Sequence, residues 1–412
     1  MILKQTPILI AGAGPTGLAL AIMLQQAGVA HILIEKSTQR SPLSRAAVIH
    51  AHTLEALDQL GVTDQLRREG LCLDRFTFRD RSQELMRITF DKLPSRFAQL
   101  LMIPQNLTEE ILEERLVALG GRVWRGAELV AVHEAENDAT AIIMCDGKQA
   151  EIRARYIVGA DGMHSLVREG ANIGFDGSQV AETFVLADIA ASWPQQRNEV
   201  SLYLSAKGML VVAPLPNGKF RLVAAVDEAP EQPDIEFMQT VLDERGPSGR
   251  KVTVESLEWS SRFFVHHRLA RRYRAGRLFL MGDAAHVHSP AGGQGMNTGL
   301  VDAVMLGRLL SDVISGTAHE DSLDQYEALR RPAAAKVLGL AGRLTKIATV
   351  RSPILRFIRN LMLRTIGHTS RIRTMLAMNL SGIERRQFAP DMLSIRAQPK
   401  TFAHELQGII YE

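Results

Sequence analysis

The run Gly12-Ala13-Gly14-Pro15-Thr16-Gly17 follows an apolar stretch, Ile8-Leu9-Ile10-Ala11, and opens a helix-forming segment. Strand, glycine turn and helix in that order bring backbone N–H groups and a helix N-terminus against a pyrophosphate. A second apolar strand, His31-Ile32-Leu33-Ile34, ends in Glu35, 18 positions after Gly17. A carboxylate there accepts both hydroxyls of an adenosine ribose and repels a 2′-phosphate. Strand, helix and downstream acid together separate a dinucleotide fingerprint from a tight turn.

Some 270 residues after Gly12 the chain reads Arg277-Leu278-Phe279-Leu280-Met281-Gly282-Asp283-Ala284-Ala285-His286, then runs through Pro290 to Gly292-Gly293-Gln294-Gly295-Met296-Asn297-Thr298-Gly299. A short strand delivers Asp283, whose carboxylate suits a polyol hydroxyl, and a glycine-dense loop then enters a new helix. A nicotinamide site needs neither feature. A flavin uses both: its ribityl chain carries hydroxyls, and its reduced ring gathers negative charge near N1 and O2 that a helix N-terminus stabilises.

With these two segments and a third, Tyr156-Ile157-Val158-Gly159-Ala160-Asp161-Gly162 with Ser165 and Arg168, the chain resembles the class A FAD-dependent monooxygenases, the aromatic hydroxylases related to p-hydroxybenzoate, phenol and polyketide hydroxylases. The resemblance spans roughly residues 5–345. It implies FAD as cofactor, NADPH or NADH as electron donor, and O2 and a small aromatic molecule as the other reactants. It also implies hydroxylation of an aromatic or polycyclic phenol-like substrate through a flavin C4a-hydroperoxide, in a site kept dry by a lid and a moving flavin. Its expected cofactor contacts are Gly12, Gly14, Pro15, Thr16 and Gly17 in the first turn, Glu35 and Lys36 after the second strand, and Arg45, Gln105 and Leu129. Asp161 and Gly162 would serve both the FAD pyrophosphate and the nicotinamide donor. Gly282 and Asp283 would hold the ribityl chain, and Pro290, Gly293, Gly295, Met296 and Asn297 one wall of the flavin site.

Because activation falls on flavin and substrate, no protein nucleophile is expected, and no side chain is assigned a catalytic role. Tyr203, Arg221, His50 and His52 are candidates, by location only, for assisting ionisation of a phenol, and structural roles are the default for all four. Adjacent side chains of His266-His267-Arg268 point apart on a strand, so no metal site is expected. A disulfide reductase would need a second glycine fingerprint and a redox cysteine pair, whereas Cys72 and Cys145 stand alone. A flavin halogenase would carry a Trp-x-Trp-x-x-Pro element, whereas Trp124, Trp193 and Trp259 are isolated. An FAD-dependent reductase or desaturase, a quinone-pathway hydroxylase of the same fold, and a flavin-binding protein without turnover stay open as alternatives.

Elements must position these groups. The expected fold class is α/β: a Rossmann-like, glutathione-reductase-type FAD-binding domain with an inserted β-sheet-rich substrate domain and a C-terminal helical segment. The chain of 412 residues, 46% hydrophobic, is long enough for two or three domains at about 150 residues each. The expected division is 1–72, 103–179 and 265–345 for FAD, 73–102 and 180–264 for substrate, and 346–412 for the helical segment, with no thioredoxin-like domain. Asn106 and Glu109 suggest a capping box opening a helix with Ile111, Leu112, Leu116 and Leu119 on its apolar face. Asp146-Gly147 and Asn217-Gly218 predict hairpins.

A formal charge of +3 is too small to imply nucleic acid, but residues 346–412 hold eleven Lys/Arg against four Asp/Glu. The basic and apolar faces of Ile354–Arg364 suit packing or a dimer contact better than an anionic membrane. The expected protein is cytoplasmic, a monomer or homodimer, and makes no contact with nucleic acid or membrane. The apolar run Pro7–Leu24 is explained by the glycine turn, since a membrane span there would leave backbone groups unsatisfied.

Overall fold

The computed structural model describes residues 3–41, 44, 46–193, 197–249, 252–289, 292–350 and 352–390, without the side chains of 179–182. Arg45 and Pro290, both expected at the cofactor, lie outside the described residues.

Two eight-stranded sheets organise the chain. In the first, Leu278–Leu280, Lys148–Gly159, Leu3–Ala11, His31–Glu35 and Val123–Arg125 lie side by side, each parallel to its neighbour. Strands buried on both faces read as continuous apolar runs, and Ile8, Leu9 and Ile10 are all fully buried. Ala127–Glu134 and Ala139–Cys145 extend this sheet as an antiparallel meander onto Lys148–Gly159. The Asp146-Gly147 hairpin is present as expected, with both residues at positive φ (51° and 71°), as a two-residue turn of this kind requires. Helix Pro15–Gln26 leaves the first strand and packs on helix Gly295–Ile314, closely enough that a Cβ on Gly307 would lie 2.6 Å from Met23 Cβ.

The second sheet runs in the order His286–Val287, Val254–Ala270, Phe175–Ala191, Phe220–Val226, Gly208–Pro214, Glu199–Ser205, Arg75–Asp80, Gln83–Thr89. Every pairing is antiparallel except that between Glu199–Ser205 and Arg75–Asp80. Two 17-residue strands, Phe175–Ala191 and Val254–Ala270, carry the chain into and out of this sheet. The boundaries expected at 180 and 264 therefore fall inside continuous strands. A small third sheet joins Val48–Ile49, Leu100–Met102 and Leu71–Leu73. The Asn217-Gly218 turn does join two paired strands, but through a longer loop holding a 3-10 turn at Pro216–Gly218.

The helix expected to be capped by Asn106 begins two residues earlier, at Gln105, with Pro104 in the cap position. No capping box forms. The Gln105 N–H is taken by Ser44 Oγ at 2.8 Å, while its side chain meets Glu109 Oε1 at 2.8 Å. After the long helix Asp324–Ala348, helices Pro353–Gly367 and Ser370–Leu380 and a 3-10 turn, Ile383–Phe388, close the described chain. Helix Pro353–Gly367 docks against the second sheet through Arg359 to the Leu204 carbonyl and Asn360 to Asp80. Its outer face leaves Ile354 and Phe357 exposed at 72% and 70%. Among the described residues no helix is long and apolar enough to cross a membrane.

Candidate functional site

The sequence motifs meet because of strand register. Ala11 pairs with Ile34 on one side and Gly159 on the other, and Gly159 pairs in turn with Leu280. Four parallel strands thus end at one level, and Gly12, Glu35, Asp161 and Gly282 all emerge at their carboxyl edge, where open α/β sheets place ligands.

The first turn is built tightly. Gly12 has φ +100°, and a Cβ there would stand 2.4 Å from the Ala160 carbonyl oxygen; a Cβ on Gly17 would stand 1.9 Å from the Gly12 oxygen. Only glycine lets strand and helix approach this closely. Gly14 is different: a Cβ there meets nothing within 4 Å, so its outer side faces open space at the N-terminus of helix Pro15–Gln26. Gly162, at φ +80°, is open in the same way. Two bare backbone turns at one sheet edge, one of them at a helix N-terminus, fit a pyrophosphate. Glu35 braces its end of the edge, accepting N–H bonds from Ala13 and Ser37 at 2.9 and 3.0 Å. Lys36 beside it is exposed, and Leu129 is buried in strand Ala127–Glu134.

Thr16 links the remote segments. A Cβ on Gly282 would lie 2.9 Å from Thr16 Oγ1, and a Cβ on Gly299 would lie 2.6 Å from the same atom and 3.1 Å from Gly282 Cα. The two glycine-rich stretches therefore touch, with exposed Asp283 one residue beyond the contact. Asn297 fixes the loop that follows. Its Oδ1 accepts the His50 N–H at 2.8 Å, and its Nδ2 donates to the carbonyls of Val48 and Gly293 at 2.8 and 2.7 Å. Gly293, at φ +62°, packs against Val48; Gly295 opens helix Gly295–Ile314, and Met296 sits half-buried against the main core. Gln105 reaches the same region by accepting the Ala46 N–H at 3.2 Å.

Asp161 caps the short helix Leu166–Gly170, its Oδ2 accepting from Leu166 N–H at 2.9 Å and Val167 N–H at 3.3 Å. Burial raises its carboxyl above the ordinary range in spite of those bonds, and its Oδ1 has no hydrogen-bond partner. Buried Arg168 ties this element to the Gly-Asp turn by donating to the carbonyls of Ala284 and Met163.

Asp302 went unpredicted from sequence. It is fully buried, accepts from His286 Nε2 and Arg330 Nε at 2.7 Å each, and takes a longer bond, 3.4 Å, from the Gly282 N–H. Burial alone would raise its carboxyl; the Arg330 charge and His286 outweigh it and hold the group below its ordinary value. The one available signal was that Asp302 is the sole charged residue between Gly295 and Gly307.

The residues proposed for phenol ionisation take other places. Arg221 forms a bidentate pair with Asp188, 2.7 Å on each arm, and donates to the Ala46 carbonyl; Trp259 Nε1 completes the Asp188 cluster. Tyr203 is buried in the core of the second sheet. His50 donates to or shares a proton with the Gly292 carbonyl at 2.8 Å, and burial pulls its ring down to about 4. His52 is lowered likewise by burial and stands 3.5 Å from Glu55. Among the described residues no group of three or more His, Cys, Asp or Glu is placed to hold a metal.

Comparison with known proteins agrees with this geometry. Residues 5–341 match the FAD binding domain family. The chain is 37% identical over 355 residues to a 6-methylpretetramide 4-monooxygenase of Streptomyces rimosus, covering 84% of this chain and 63% of that protein's length. The anhydrotetracycline hydroxylase OxyS of the same organism superposes with a TM-score of 0.77 at 32% identity, over 92% of this chain and 76% of the other. A p-nitrophenol 4-monooxygenase of Pseudomonas putida DLL-E4 shares the fold, with a TM-score of 0.83 at 22% identity over 96% and 100% of the two chains. The chain belongs to the class A FAD-dependent monooxygenase family, and FAD is its cofactor.

Proposed function

We propose that the protein is an NAD(P)H-consuming monooxygenase that hydroxylates an aromatic or polycyclic phenol-like compound. The observation that carries this reading is the contact of Thr16 with both Gly282 and Gly299, which lets one extended cofactor span the two glycine-rich turns. Bound FAD would take a hydride from the nicotinamide and pass one oxygen atom of O2 to an electron-rich ring.

The chain's own residues would bind and orient. The first turn (Gly12, Gly14, Pro15, Thr16, Gly17) and Gly162 would present N–H groups to the pyrophosphate, with Glu35 at the ribose and Lys36 and Leu129 at the adenosine end. Asp283 would accept the ribityl hydroxyls. The N-terminus of helix Gly295–Ile314, held in place by Asn297, would stabilise negative charge on the reduced ring. Gln105 and Arg45 would flank the cofactor, and Pro290 and Gly293 would wall it. Asp161, whose Oδ1 is buried without a partner, would meet a hydrogen-bond donor of the incoming cofactor or nicotinamide beside the pyrophosphate. The second sheet would carry the substrate, with segments 73–102 and 180–264 forming its domain.

The relatives' names favour this substrate class, a 6-methylpretetramide 4-monooxygenase and an anhydrotetracycline hydroxylase among them. We infer a cytoplasmic enzyme, monomeric or homodimeric. The test is a panel of phenols, quinones and polycyclic aromatics, scored by stimulated NAD(P)H consumption and by product mass. A product heavier by one oxygen supports the reading; a flavin-loaded protein that no compound stimulates refutes it.

A further inference from the structure

Behind the Gly292–Asn297 loop lies a cavity of about 20 Å³, lined among others by His52, Gln294, Asn297, Arg330 and Arg385. That is room for a single water molecule or small ion. No carboxylate lines it.

Its lining carries two arginines, Arg330 and Arg385, and no acid. Arg330 is paired with Asp302, and Arg386 with Glu55. Arg385 points into the same region from the 3-10 turn Ile383–Phe388, and among the described residues no carboxylate lies within ion-pair distance of it. Its contacts are neutral: the Asn379 carbonyl and Gln294 Oε1. Its neighbour Glu384, exposed and bonded by Asn379, attracts it from outside the chamber. Burial, with Arg330 adding repulsion, pushes the Arg385 guanidinium down to about 10. Arg385 is half-buried, and removing part of a cation from water is ordinarily offset by a partner charge. His52 also lines the chamber, and both of its ring nitrogens are buried without a hydrogen-bond partner.

We propose that this chamber binds one small monovalent anion of the halide class, held by Arg385 with Arg330 beside it and His52 Nε2 opposite. The anion would supply a negative charge that no residue lining the chamber carries. Facing His52 are Glu55 on its own helix, His50, Arg330 from helix Asp324–Ala348, and Arg385 and Arg386 from the 3-10 turn. An anion at Nε2 favours the doubly protonated ring, which then bridges the anion and Glu55. Because burial already holds the His52 ring below its ordinary value, binding takes up a proton and tightens as pH falls beneath that value. Because Gln294 also bonds the carbonyls of Gly292 and Leu380, the filled chamber braces the flavin loop against the C-terminal segment.

The experiment uses the flavin-loaded protein and needs no turnover, so it stands or falls apart from the monooxygenase reading. Melting temperature is measured against bromide, chloride and sulfate at constant ionic strength. The expected result is a rise that saturates with bromide and chloride, against the unsaturating rise of an excluded salt with sulfate, and a half-saturating halide concentration that falls as pH is lowered from 6.5 to 5. Arg385→Gln, which keeps an amide in place of the charge, should lose the rise. Bromide-soaked crystals of the unmodified protein give a second, variant-free readout: an anomalous peak beside Arg385 is expected. Equal shifts with all three salts, or a chamber holding only water in the bromide crystals, would overturn the proposal.

Discussion

Replacing Gly299 by alanine tests the convergence of the two glycine-rich stretches directly. The added Cβ would sit 2.6 Å from Thr16 Oγ1 and 3.1 Å from Gly282 Cα, against an ordinary contact of 3.4–4 Å. Neither neighbour is the free end of a long side chain, so the helix or the turns must move by several tenths of an ångström. Overpacking of this kind costs about 1–3 kcal/mol. If that strain falls on the cofactor seat, FAD affinity drops by about 5- to 150-fold, since each 1.4 kcal/mol is roughly tenfold. Gly307→Ala is the control. It crowds the same pair of helices, with its Cβ 2.6 Å from Met23 Cβ, but eight residues further along. Both variants should melt earlier, and only Gly299→Ala should weaken FAD, measured by flavin fluorescence on adding FAD to apoprotein. Equal loss in both variants, or unchanged affinity in Gly299→Ala, would refute the argument.

Four further outcomes are expected. Asp283→Ala should purify largely without flavin, and a fully yellow preparation would remove the ribityl role. Glu35→Ala should weaken FAD by about 1–3 kcal/mol through loss of a charged hydrogen-bond acceptor, read from the same titration. Asp302→Asn leaves Arg330 buried without its counter-charge and should cost about 3–5 kcal/mol in denaturant unfolding; a change within about 0.5 kcal/mol would sink the claim. Burial pushes the Glu55 carboxyl up, but bonds from His52, Arg386 and Ser95 win and bring it to about 2. A folded value below the unfolded one means stability present above about pH 4.5 and lost as pH falls towards 2, on the order of 3 kcal/mol in all. Glu55→Gln should flatten that part of the stability–pH curve, and an unchanged curve would show that the carboxylate contributes nothing.

What could be read in the sequence was local. The first glycine turn, the strand ending at Glu35 and the Asp146-Gly147 hairpin each state their geometry in a few adjacent residues, because steric limits on φ act at that range. The misplaced helix start shows the opposite case. Gln105 takes its cap from Ser44, 61 residues away, and no local pattern could reveal that. Asp302 was hidden for the same reason, since its partners His286 and Arg330 lie 16 and 28 residues distant and gather only when the long helix docks. The apolar-basic pattern of Ile354–Arg364 left its partner open, because periodicity marks a face without saying what covers it. In the fold its inner side meets the second sheet while Ile354 and Phe357 stay in solvent.

The 17-residue strands Phe175–Ala191 and Val254–Ala270 pair with each other across most of their length. A hydrogen-bonded ribbon resists shear far better than a pair of flexible linkers. Any swing of the second sheet must therefore be taken up as added twist spread along the ribbon, and concentrated where its ladder already slips, as beside Asp188. Asp188 is also the residue that holds Arg221 against the Ala46 carbonyl. Torsion arising at one end of the molecule is thereby delivered as a tug on the chain segment next to the cofactor edge.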